Sequence, residues 1–156
     1  MSTSSRSSTD AASVADILPR AVALLARREH SRFDLGRKLR RYTDNPDHIT
    51  AVLDKLQEQN LLSDERFVQV FVRSRMQRFG VRRLRYELNQ QQIDSALIDA
   101  ALAPLADDEY DRAYEVWQRK FGHAPQDQRD YARQYRFLAQ RGFGAQIIRK
   151  ILNDSP

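Results

Sequence analysis

The sequence predicts an all-α fold: three tandem three-helix repeats forming an elongated, curved helical array. Three observations carry this expectation. Apolar residues recur at helical spacing along almost the whole chain. Most of the five glycines and five prolines stand between those periodic runs, where they end one helix and start the next. A longer helix, a shorter helix and a further helix then recur at a period of roughly 45 residues, the mark of units that hide their apolar faces against neighbours.

The first element is expected from about Val14 to Glu29, with Ile17, Ala21, Val22, Leu24 and Leu25 turned inward and Pro19 in its first turns. Ser31 is placed to cap a second helix carrying Leu35, Leu39 and Tyr42, and Asn45-Pro46 opens a third through Ile49, Val52, Leu53 and Leu56. Ser63 begins the second repeat with a helix containing Phe67, Val68, Phe71, Val72, Met76 and Phe79, which Gly80 breaks. Val81, Leu84 and Leu88 stripe the fifth helix, and Ile93, Leu97, Ala101 and Leu102 the sixth. The acids Asp107, Asp108 and Glu109 suit the positive end of a seventh helix bearing Tyr110, Ala113, Tyr114, Trp117 and Phe121. Tyr131, Tyr135 and Leu138 mark the eighth helix; Ile147, Ile148, Ile151 and Leu152 mark the ninth. The expected organisation is a Ser-rich disordered tail at 1–13 followed by repeats at 14–62, 63–106 and 107–156. The third repeat echoes the others through Gln140-Arg141-Gly142 and Lys150-Ile151, which aligns its last helix with the middle helix of the other two.

Composition narrows the function. With no cysteine there is neither a disulfide framework nor a thiolate metal site, and a reducing compartment is the natural setting. Residues 1–10 hold seven Ser or Thr and no apolar stretch, so no export signal or membrane span is expected and the chain is placed in the cytoplasm. His30 and His48 fall in the first repeat and His123 in the third, no His-Glu-x-x-His pattern exists, and no Gly-rich phosphate loop or nucleophile turn occurs. The expectation is therefore a binding protein, not an enzyme, with no cofactor and no metal.

Of the 26 basic residues 22 are arginine, against 21 acids. Guanidinium offers a planar donor fork for carboxylates and phosphates, so the placement of these side chains matters. Between 66 and 86 no acid occurs, while Arg73, Arg75, Arg78, Arg82, Arg83 and Arg85 crowd around Gly80. Wheel counting at about 100° per residue sends Arg73 outward and puts Arg75 in the middle of the apolar face. A buried arginine must be paired, so Arg75 is expected to be structural, bonded to Asp64, Glu87 or an acid of another repeat. On the fifth helix Arg82, Arg83 and Tyr86 face away from the Val81, Leu84, Leu88 stripe, and Arg85 flanks it. On the second helix Arg37, Arg40 and Arg41 point outward by the same count. Arg37, Arg40, Arg41, Arg73, Arg78, Arg82, Arg83 and Tyr86 are the candidate partner-binding residues; Arg75 and Gly80 are the structural ones.

Leu62-Ser63-Asp64-Glu65-Arg66-Phe67, then Phe71-Val72 and Arg75, then Gly80 followed by Arg83-Leu84 and Glu87-Leu88, resembles the central signature of the RecX family. The first repeat is similar through Leu24-Leu25-Ala26-Arg27-Arg28, Ser31, Leu35 and Lys38-Leu39, and the last through Arg141-Gly142-Phe143. Asp34 stands where the family usually has Glu. The resemblance spans about residues 14 to 153 and implies tandem three-helix repeats that bind along a RecA recombinase filament on single-stranded DNA. It implies inhibition of strand exchange, ATP hydrolysis and coprotease activity, a role in DNA repair and the SOS response, and single-stranded DNA as a secondary partner; the chain is expected to be a monomer. The alternative is a direct helix-turn-helix-like DNA binder, since the sharp break between helices suits such a motif.

Overall fold

The computed structural model describes residues 12–155. Most of the tail expected at 1–13 lies outside them. Among the described residues there are helices and one short 3-10 turn, with no strand. In chain order the helices are α1 (Val14–Arg27), α2 (Arg32–Leu39), α3 (Pro46–Glu58), α4 (Asp64–Arg75), α5 (Val81–Gln90), α6 (Ser95–Leu102), α7 (Glu109–Lys120), α8 (Gln128–Gln140) and α9 (Ala145–Asp154), with the 3-10 turn Ala103–Leu105 after α6. The expected all-α fold of three-helix repeats is what the chain forms.

The chain divides into two compact units, one ending at Asp64 and the other running from Glu65 onward. The first unit is α1 to α3. Ser13 and Asp16 form a capping box at the start of α1. Ser31 caps α2 through the Asp34 N–H, and Asn45 caps α3 with Pro46 in its first turn. Helix α1 stops at Arg27, short of Glu29, because Arg28 is extended (φ −165°, ψ 166°) and the chain must turn to reach the Ser31 cap. The core is Ile17, Ala21, Leu35, Leu39, Val52, Leu53, Leu56 and Leu62. Val22, expected inward, is 41% exposed, since it lies about 140° around the helix from Ile17.

The second unit holds two apolar cores. Phe67, Val68, Val72, Phe79, Leu84, Leu88, Ile93, Ile98 and Leu102 fill that of α4 to α6. Ala113, Trp117, Leu138, Phe143, Ile148, Ile151 and Leu152 fill that of α7 to α9. Trp117 is tied into the latter by donating its indole N–H to Gln134 Oε1 at 2.7 Å. Tyr114, expected on the inner stripe of α7, is instead exposed.

Helix α4 ends at Arg75, so Met76 and Phe79 belong to the turn after it and not to the helix, as the periodicity suggested. The reason is where the backbone groups go. The N–H groups of Arg78 and Phe79 both return to Arg75 O, and the free carbonyls of Met76 and Phe79 are taken by a side chain from α7. Arg112 donates Nη1 to Met76 O at 2.7 Å and to Phe79 O at 3.3 Å, Nη2 to Leu105 O at 3.0 Å and Nε to Asp108 Oδ1 at 3.1 Å. It is a cation on the carbonyl end of a helix, where both charge and donors are wanted.

The start of α5 is closed from the same side. Gly80, its N-cap residue, has no side chain to offer, yet the first amides all find acceptors in the following repeat. Gly80 N–H donates to Arg141 O at 2.7 Å and Arg82 N–H to Gly142 O at 3.2 Å, while Val81 N–H donates to Glu109 Oε1 at 3.1 Å. Glu109 thus caps α5 as well as standing at the head of its own helix. The approach leaves no room for a Cβ: one on Gly80 would lie 2.3 Å from Gly142 O, and one on Gly142, at φ +91°, would lie 2.4 Å from Arg83 Cβ. Gly80, singled out in the sequence as a helix break, sits where this contact between backbones admits no side chain.

Candidate partner-binding surface

In the first unit the α2 face is organised around a buried carboxylate. Asp34 is nearly inaccessible and is met by Arg37 Nη2 at 2.7 Å, Lys38 Nζ at 3.4 Å and Arg28 Nη2 at 3.5 Å. Burial alone would raise its pKa, but the hydrogen bonds and charges of Arg37 and Lys38 outweigh that and hold it below the ordinary carboxylate value. Beside it His30 is buried, with Nδ1 3.0 Å from Arg28 O and Nε2 3.0 Å from Lys38 Nζ. The ammonium can only donate, so Nε2 carries a lone pair and Nδ1 the proton. Desolvation, with the nearby charges of Lys38 and Arg28, pushes the His30 pKa below its usual value against the opposing pull of the Arg28 carbonyl and Asp34. Arg37 is therefore exposed but committed to Asp34. Arg40 and Arg41, also exposed, have no carboxylate within ion-pair distance among the described residues, and Arg41 flanks a concavity with Leu24, Arg37, Lys38 and Tyr42.

In the second unit the arginines around Gly80 separate into two groups. Arg73, Arg78 and Arg82 are exposed and have no carboxylate partner among the described residues. Arg75, Arg83 and Arg85 are engaged. Arg75 pairs with Glu87, one of the three kinds of partner considered for it, at 3.3 Å and stacks over the Phe71 ring at 4.6 Å. It is not buried, however, because it is the last residue of α4, where the apolar face ends; its side chain is 37% exposed. The buried arginine of this unit is Arg112.

Arg83, expected to face away from the core, is half-buried. It stacks over Phe79 at 4.0 Å, reaches Gln140 O at 3.4 Å and lies 3.5 Å from Glu87. Its direction away from the α5 stripe points it at the α8–α9 turn, not at solvent. Arg85 pairs with Asp99 at 2.6 Å. Tyr86 is the most exposed large aromatic, at 65%, and with Arg82 borders a shallow depression that Gln140 and Gly142 complete. The fold also brings Arg119, Lys120 and Arg141 beside Arg78, a grouping from three separate regions of the chain that the sequence reading did not single out. Among the described residues no cluster of His, Asp or Glu has the arrangement of a metal site, and no helix is long and apolar enough to cross a membrane.

Two family models match the chain: the second three-helix domain of RecX over residues 63–102 and the third over residues 107–152. Regulatory protein RecX of Chromobacterium violaceum is 46% identical over 133 residues, covering 85% of this chain and 86% of the relative. Regulatory protein RecX of Leptothrix cholodnii is 45% identical over 133 residues, covering 85% of each. The fold is shared with the crystal structure of RecX from Lactobacillus salivarius, at TM-score 0.75 and 20% identity over 90% of this chain and 95% of that one. Matches to two RecX domain models, together with identity of this extent along most of both chains, establish that this chain belongs to the RecX regulatory-protein family.

Proposed function

We propose that this chain binds the RecA recombinase and its nucleoprotein filament on single-stranded DNA and inhibits the recombinase, ATPase and coprotease activities. It does so in the cytoplasm and without catalysing a reaction of its own, as a modulator of recombination and repair. The observation that carries the reading is the 46% identity to a regulatory RecX protein over 133 residues. The distribution of arginines supports it: Arg40, Arg41, Arg73, Arg78 and Arg82 stand exposed without intramolecular carboxylate partners among the described residues, so their donor forks are available to acidic protein surface or phosphate. Arg37, Arg83 and Tyr86 border the same regions. Contacts spread over several repeats of one chain add through effective concentration and need no single dominant residue.

The test is ATP hydrolysis by RecA on single-stranded DNA with this protein added at stoichiometric amounts. Inhibition is expected, and it weakens when Arg73 and Arg82 are both replaced by Glu while the fold is kept. Unchanged hydrolysis by the parent protein would remove the reading. Tight, sequence-specific duplex binding in the absence of RecA would replace it with the helix-turn-helix one.

A further inference from the structure

We propose that the groove between the α4–α5 turn and helices α7 and α8 is a docking site for an acidic peptide segment bearing an apolar side chain. Its rim is cationic: Arg78 from the turn, Arg119 and Lys120 from the end of α7, and Arg141 from the end of α8. Its floor is apolar, formed by Val116 and Phe137. Among the described residues Arg78, Lys120 and Arg141 have no carboxylate within ion-pair distance, and Arg119 meets only Glu115, at 4.0 Å, with both side chains mostly exposed. A concave site with an apolar centre and unneutralised cations on its edge complements a ligand of the opposite pattern, carboxylates flanking a hydrophobic anchor.

The aromatic geometry favours peptide over nucleic acid. A single strand binds such a groove by stacking bases on free aromatic faces. Phe137 offers none: Arg141 sits 5.0 Å and Lys120 5.5 Å from its ring centroid, and Phe121 abuts it edge-on at 5.4 Å. Those same contacts hold the cations at the rim, so they meet carboxylates already oriented. The walls are also fixed to each other. The turn carrying Arg78 is bonded through Met76 O and Phe79 O to Arg112 of α7, and Arg141 O accepts from Gly80. A preformed groove loses less ordering free energy on binding. The inference goes beyond the filament reading, because the groove can take such a segment whatever protein supplies it.

The experiment is fluorescence anisotropy of the full chain with a labelled synthetic peptide of Asp and Glu around one central Leu, compared with the same peptide carrying Ala there. The Leu peptide is expected to bind more tightly and to be released by salt. Arg78→Glu with Lys120→Glu should weaken it by about tenfold or more, since each replaces attraction by repulsion. Arg149→Glu, on the exposed face of α9, should leave it unchanged. Val116→Lys, which adds charge but blocks the floor, should reduce the Leu peptide to the affinity of the Ala peptide. Should the double variant lose its folded Trp117 emission, Arg119→Glu on a side chain already 74% exposed takes its place. Equal binding of the two peptides, equal loss in Arg149→Glu, or absence of binding overturns the proposal. So does a labelled oligothymidylate that displaces the peptide and is itself lost in the double variant, which would make the groove a nucleic-acid site. Peptide binding that persists in a protein without effect on RecA would overturn the filament reading and not this one.

Discussion

Replacing Arg112 by Met keeps much of the volume of a nearly buried side chain and removes every donor. The carbonyls of Met76, Phe79 and Leu105 then lose their partner, and Asp108 loses a charge that its own exposure already screens. Hydrogen bonds to a charged donor contribute about 1.5–3 kcal/mol each, so simple addition over three would exceed what is expected once water reaches the exposed side of the turn. Removing one partner of a buried charged network typically costs about 3–5 kcal/mol, and that is the magnitude expected here. Arg112→Lys keeps the charge but has no fork to span carbonyls on two sides, so it should fall between Met and the parent. The readout is built in: the chain has one tryptophan, and Trp117 is buried in the second unit. Its emission during urea unfolding follows that unit alone. A loss below about 0.5 kcal/mol in Arg112→Met, within the range of ordinary surface changes, would refute the account of Arg112 as the bond between the two repeats.

Further outcomes follow from the same geometry. Gly142→Ala combines a left-handed backbone with a Cβ placed 2.4 Å from Arg83 Cβ and should destabilise the second unit by roughly 2–4 kcal/mol. Gly144→Ala, where a Cβ meets nothing within 4 Å, should cost only the cap preference for Gly over Ala at the start of α9, about 0.5–1 kcal/mol in the same urea titration. Gln134→Leu strands the Trp117 indole N–H and should cost about 1–3 kcal/mol, with a blue shift of the folded-state emission. For His30 the folded pKa lies below the ordinary 6.5, so the unfolded chain binds the proton first. Stability of the first unit is complete above 6.5 and falls as pH drops from there through the lowered folded value. Asp34, also lowered, adds its own loss only below the ordinary 3.8. Thermal melting followed by circular dichroism should show the first decline, and His30→Gln, able to donate to Arg28 O and accept from Lys38, should flatten it; an unchanged slope would contradict the assignment.

What the sequence discloses is what neighbouring residues decide. Ser31, Asn45 and the break at Gly80 are local signals, and each marks a helix start in the structure. Glu87 stands among the candidate partners of Arg75 for the same reason, since it lies on the very next helix, but the sequence does not choose it over Asp64. Burial of arginine was not. Wheel counting ranks Arg75 against its own helix, but burial of Arg112 comes from the α4–α5 turn more than 30 residues earlier in the chain. Arg83 shows the other side of this limit: its own helix directs it away from the stripe, and a turn near residue 140 then covers it. Phe79 is core but not helix, because apolarity is visible in a sequence while the destination of a carbonyl is not. The cationic groove is assembled from side chains of three separate segments and has no local signature at all.

The closing of α5 by Arg141 and Gly142 sets an order in time. A chain made from its N-terminus completes the α1–α3 core once Leu62 has emerged, but the Gly80 and Arg82 amides at the start of α5 lack their Arg141 and Gly142 acceptors until some 60 further residues are synthesised. Until then the middle repeat waits with an open helix end and a partly bare Phe79. A product terminated between the second and third repeats should be a target for proteolysis at the residues around Gly80, whereas its α1–α3 portion should survive intact.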